Sequence, residues 1–165
     1  MKITDTQLRR LSDRVGSALL AAGHSVACAE SCTGGWISKA LTDVPGSSQW
    51  FAEGFVTYDN EAKIRRLGVP RSLLETDGAV SEAAVRAMAS GVLDRSEAAI
   101  AVAVSGIAGP GGATPGKPVG TVWLCWAVRR GRRIEAVTEL RHFRGNRDEV
   151  RRKTVRLALQ GLLGR

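Results

Sequence analysis

Histidine, tyrosine and lysine are scarce in this chain of 165 residues, and each scarcity excludes something. The two histidines, His24 and His142, stand far apart with no cluster of potential ligands near either, so no metal site is expected. The three cysteines, Cys28, Cys32 and Cys125, are odd in number and lack C-x-x-C spacing, which points to free thiols and a cytoplasmic setting rather than a disulfide framework. The opening MKITDTQLRRL lacks the apolar run of a signal peptide, and no stretch approaches 18 uncharged apolar residues. A membrane partner is therefore not expected. Repeats, low-complexity tracts and interdomain linkers are also lacking.

What remains is an ordinary globular mix, 44% hydrophobic and 24% charged. The length suits one domain over residues 1–165 with a real core, and hardly suits two. The net charge of +8 is uneven. From Arg129 onward twelve basic residues face four acidic ones, whereas the first 128 residues balance at twelve of each. Such a segment can bind nucleic acid, form a solvated helix face or attract a small anion. With only 5% aromatic residues and no aromatic interleaving among the basic ones, a nucleic-acid partner is disfavoured.

Periodicity gives alternating helices and strands. Leu8, Leu11, Val15, Ala18, Leu19 and Ala22 predict a helix stopped by Gly23. SVACAES predicts a strand over 25–31, and a helix follows that ends before Pro45. WFAEGFVTY reads as a second strand, followed by a short helix capped by Asp59 or Asn60 and closed by Gly68. Ser81 caps a further helix, and AAIAVAVSG is an apolar strand. Two long strands then meet at Gly131 in an antiparallel hairpin, and Asn146 caps a terminal helix. This pattern predicts a three-layer α/β/α domain with a mixed sheet.

Three stretches can carry chemistry. The first, GIAGPGGATPGKPVG over 106–120, resembles a P-loop in Gly111 to Lys117, but Pro118 stands where that motif needs Ser or Thr and a strand follows where it needs a helix. It is not a Walker A site, nor does it contain G-x-G-x-x-G; it is either a rigid connector or a loop that lets a ligand approach backbone N–H groups. The second, AESCTGG, puts Ser31, Cys32 and Thr33 where a strand hands over to a helix. Ser31 or Thr33 is placed either to contact a substrate or merely to cap the helix, and Cys32 is a weaker candidate nucleophile with no histidine to activate it. The third, TDVPGSSQWFAEGFVTYDNEAK, holds Ser48, Tyr58 and Lys63. A serine nucleophile needs a base, and a lysine made neutral by burial can serve where histidine is scarce; arginine cannot. With 19 Arg and 5 Lys, each lysine attracts notice, Lys2, Lys39, Lys117 and Lys153 included. The plain alternative is a turn serine, a strand tyrosine and a surface lysine.

Taken in order, AESCTGG, VPGSSQWFAEGFVTYDNEAKIRRLGV, GAVSEAAVRAMASG and VSGIAGPGGATPGKPVGTVW resemble the CinA C-terminal domain family from about residue 8 to the end. Ser105 departs from the threonine expected in T-G-I-A-G-P. Larger members add an N-terminal molybdopterin-binding-like domain, for which this chain has no room. The resemblance implies hydrolysis of nicotinamide mononucleotide to nicotinic acid mononucleotide and ammonia, with no metal or organic cofactor. It implies Ser48 as nucleophile and Lys63 as general base, with Tyr58 and Ser31 assisting. Thr33, Ser105, Gly106, Ala108, Gly109 and Gly111 would line the nucleotide site, and Arg147, ahead of Arg144, would meet its phosphate. A homodimer is also implied. The rival expectations are a non-catalytic binding or regulatory module associated with competence, and an amidase acting on another carboxamide.

Overall fold

The structure, a computed structural model, describes residues 3–165. Its frame is a five-stranded sheet in the order β2-β1-β3-β4-β5, with β1 Val26–Glu30, β2 Phe51–Val56, β3 Ile100–Gly106, β4 Thr121–Arg130 and β5 Arg133–His142. β1 pairs in parallel with β2 and β3, and the β3–β4 and β4–β5 pairs are antiparallel. The sheet is thus mixed, as the alternation of elements predicts.

The sequence of β3, IAVAVSG, explains how the two faces differ. Ile100, Val102 and Val104 point to one side, where they join Val26, Leu124 and Trp126 beneath α1 Asp5–Ala22, α2 Trp36–Thr42 and α6 Arg147–Leu162. Ala101 and Ala103 point to the other, with Ala27, Ala29 and Ala127. Small residues there let α5 Glu82–Arg95 lie close to the sheet, with α3 Asn60–Leu67 and α4 Arg71–Thr76 beside it. Both layers are fully buried along β1 and nearly so along β3, which accounts for the unbroken apolar runs in those strands.

Helix ends follow local chemistry. Thr4 and Gln7 form a capping box at the start of α1, and Gly23 closes that helix at φ 65°. Asp59, Ser81 and Asn146 cap α3, α5 and α6 through their side chains. Two short elements were not expected from sequence: α4, six residues after Pro70, and a single 3-10 turn, Ser47–Gln49. Both are too short to show a hydrophobic period.

Candidate active site

Loops leaving the C-terminal ends of the three parallel strands converge. This is where open α/β sheets form crevices, at the point where successive connections diverge from neighbouring strands. Ser31 and Cys32 follow β1, Tyr58, Asn60 and Lys63 follow β2, and Ser105, Gly106 and Ala108 end or follow β3. With Ala79, Val80 and Arg147 they line a pocket of about 200 Å³.

Lys63 is at the centre of this pocket. It belongs to the first turn of α3 yet is only 1% exposed, because the helix turns its side chain back under the β2–α3 loop. Its Nζ donates to Thr57 O at 2.9 Å, Tyr58 O at 3.0 Å and Ser31 Oγ at 3.1 Å, with Asp59 O at 3.4 Å. These partners are neutral oxygens. The nearest acid in sequence, Asp59, spends its carboxylate on the N–H of Ala62 at the cap of α3. Burial pushes the Lys63 pKa below the usual lysine value, against the opposing pull of Asp59 and then Cys32. A neutral amine has two N–H groups and one lone pair. Two backbone carbonyls can take the N–H groups, which leaves the lone pair for the Ser31 hydroxyl.

Ser31 is anchored by its backbone, whose N–H donates to Val104 O at 3.1 Å across to β3. Its hydroxyl also lies 3.5 Å from Tyr58 O. Tyr58 itself is 57% exposed, and its phenol receives Arg147 Nη2 at 2.9 Å while Arg147 Nη1 donates to Gly109 O at 2.8 Å. The tyrosine therefore touches the lysine through its carbonyl and the pocket mouth through its ring.

Other expected residues fall differently. Ser48 is exposed in the turn that enters β2, so the length of that strand separates it from Lys63, about 20 Å for six residues. The structure does not bring the expected Ser48 to Lys63, whose Nζ meets Ser31 Oγ instead. Thr33 is fully buried and donates to Glu30 Oε2 at 2.7 Å, so its hydroxyl faces away from the pocket lining and caps nothing. Nor does Ser31 cap α2: its N-cap position is Gly35, and Glu30 accepts the N–H groups of Gly35, Ile37 and Ser38. Of the glycine-rich loop, Gly106 and Ala108 line the pocket whereas Gly109 and Gly111 do not. Gly106 has a packing reason as well, since a Cβ there would meet Val122 Cγ2 at 2.6 Å. Arg144 is exposed and lies outside the lining.

Cys32 lines the pocket, but burial pushes its thiol up to about 12, which disfavours the thiolate a nucleophile needs. Lys39 is exposed and Lys117 and Lys153 are half-buried, holding Asp43, Asp77 O and Arg144 O respectively, and Lys2 lies outside the described residues. Glu30 was not foreseen. A charged residue closing an otherwise apolar strand was the signal that could have found it.

The model of the CinA C-terminal domain matches residues 8–165. The chain is 52% identical over 160 residues to nicotinamide-nucleotide amidohydrolase PncC of Escherichia coli strain K12, covering 97% of this chain and 95% of that protein. It is 53% identical over 153 residues to the protein of the same name from Pseudomonas putida, covering 93% of each. Among solved structures, competence/damage inducible protein CihA from Agrobacterium tumefaciens superposes with a TM-score of 0.89 at 44% identity, over 99% of this chain and 96% of that one.

Proposed function

The chain belongs to the CinA C-terminal domain family, and we propose that it is a nicotinamide-nucleotide amidohydrolase in which Ser31 is the nucleophile and Lys63 the general base. The observation that carries the mechanism is the 3.1 Å contact between Lys63 Nζ and Ser31 Oγ inside the pocket.

The reaction is the hydrolysis of nicotinamide mononucleotide to nicotinic acid mononucleotide and ammonia. Neutral Lys63 takes the Ser31 proton as Oγ bonds to the carboxamide carbon. The tetrahedral intermediate collapses with cleavage of the C–N bond, and the Lys63 ammonium gives its proton to the departing nitrogen, which leaves as ammonia. Water then adds to the acyl-serine, losing a proton to Lys63. Cleavage of the C–Oγ bond releases the acid, and the proton returns to Ser31. Lys63 ends neutral, ready for another turn.

The pocket is small against the roughly 300–1,000 Å³ of sites that engulf a drug-sized ligand, so it takes the reacting end of the nucleotide. Arg147 stands at its mouth with three of its five N–H groups uncommitted to Gly109 or Tyr58, available to the phosphate. A cytoplasmic location belongs to the same reading, supported by three buried unpaired cysteines. So does a homodimer, supported by the uncovered edge of β2 and exposed Val56. A non-catalytic module gives no reason for a lysine buried against neutral oxygens.

The test is product analysis from nicotinamide mononucleotide and purified protein with no added metal. Ammonia and nicotinic acid mononucleotide are expected, and folded Lys63→Ala should fall to background. Absence of both products, or full turnover by Lys63→Ala, would overturn the reading.

A further inference from the structure

We propose that Glu30 is the positioning residue that shapes the oxyanion site, holding the turn after β1 so that the Cys32 N–H at the pocket wall receives the charge developing on the carboxamide oxygen. The inference rests on Ser31 being the nucleophile, but it can fail on its own.

Glu30 ends β1 with its side chain wholly buried. Oε1 accepts from Ser38 N and Ser38 Oγ, both at 2.8 Å, and from Cys28 Sγ at 3.7 Å. Oε2 accepts from Thr33 Oγ1 at 2.7 Å, Ile37 N at 2.9 Å and Gly35 N at 3.1 Å. One carboxylate thus gathers six donors, and the chain from Thr33 to Ser38 wraps around it. The remaining N–H groups of that turn are used internally, Gly34 donating to Ser31 O and Trp36 to Thr33 O. Among the described residues the N–H groups of Cys32 and Thr33 alone in this turn have no hydrogen-bond acceptor in the protein.

Arg151 braces the same turn from the other side. Its Nε donates to Cys32 O at 3.2 Å and its Nη2 to Thr33 O at 2.9 Å, while its guanidinium lies 5.2 Å from the Trp36 ring centroid. In a trans peptide the carbonyl and the following N–H point oppositely. With Ser31 O held inside the turn by the Gly34 N–H, the Cys32 N–H therefore points out of it. The turn is clamped between a carboxylate and a guanidinium, and its free Cys32 N–H directly follows the residue whose hydroxyl Lys63 activates. Donors held before the reaction stabilise the oxyanion without reorganising. A glutamine at position 30 would put an NH₂ among donors and lose part of the clamp.

The experiment compares Glu30→Gln, Thr33→Val and Thr33→Ser, each checked for fold, by kcat and KM on nicotinamide mononucleotide. Ser31→Ala is the control for the parent reading. In Glu30→Gln, kcat should fall on the order of 100-fold, the scale of a displaced catalytic geometry, with KM within about threefold. Thr33→Val, which removes one donor to the carboxylate, should lose about tenfold in kcat, and Thr33→Ser should recover most of it. An aldehyde analogue of the nucleotide, which forms a tetrahedral adduct with serine, should lose affinity in step with kcat. A merely structural role would lower the folded fraction without that parallel loss. Wild-type turnover by Ser31→Ala would remove the nucleophile and this inference with it. Loss in Ser31→Ala together with wild-type kcat in folded Thr33→Val overturns this inference alone, and that arm decides even where Glu30→Gln does not fold.

Discussion

At the scale of single residues, the account depends on a lysine whose burial favours its neutral form. Desolvation favours the uncharged form, while the carbonyls of Thr57 and Tyr58 stay within reach of its N–H groups. The base form must be present for Ser31 to lose its proton. kcat/KM should therefore rise with pH through an apparent pKa below the ordinary lysine value of about 10.4. A rate profile rising only near that ordinary value would show that burial does not tune this amine. Cys32 shows the same force acting on an acid: burial holds its proton on, and it remains a small apolar wall of the pocket.

At the scale of elements, the site is a product of strand direction. Parallel strands bring their C-terminal ends to one edge of the sheet, so Ser31 after β1, Tyr58 after β2 and Ser105 at the end of β3 meet although they are far apart in sequence. The fold class was legible in the alternation of patterns, and Lys63, Tyr58, Ser31 and Ser105 were legible as candidates. Ser48 is close to Lys63 along the chain but not in the fold. It precedes β2 whereas Lys63 follows it, and a strand carries its two ends to opposite edges. Glu30 was hidden because its donors come from the turn and helix that follow, which no spacing rule reveals. The contact between α3 and α5 offers an element-level test. A Cβ on Gly91 would lie 2.1 Å from Leu67 O, so α5 cannot keep its place beside the helix that carries Lys63. Gly91→Ala should destabilise by roughly 1–3 kcal/mol, outweighing roughly 1 kcal/mol of helix propensity gained, and should lower kcat. A melting temperature equal to or above the wild type would contradict that packing.

At the scale of the molecule, the basic C-terminal segment is largely occupied by its own fold. Arg152 pairs with Asp5 and Asp148, Arg130 with Glu135, and Arg141 with Glu139, while Arg147 lines the pocket and Arg151 holds Cys32 O and Thr33 O. The buried lysine also leaves a mark on global stability. Its folded pKa is depressed, so between that value and the unfolded value of about 10.4 the unfolded chain binds more protons. Wild-type stability contributed by this residue is thus lost at low pH and regained as pH rises through that window. Urea midpoints of wild type and Lys63→Met should shift in favour of the wild type as pH is raised across that window. A gap that stays constant or widens the other way would deny the depressed pKa.

The central claim is that Ser31, and not Ser48, receives the help of Lys63. Its most direct test is the rate of ammonia release from nicotinamide mononucleotide by folded Ser31→Ala and Ser48→Ala, measured side by side. The account predicts background release by Ser31→Ala and a rate within about twofold of wild type for Ser48→Ala, an exposed substitution remote from the pocket. Turnover kept by Ser31→Ala and lost by Ser48→Ala would contradict it.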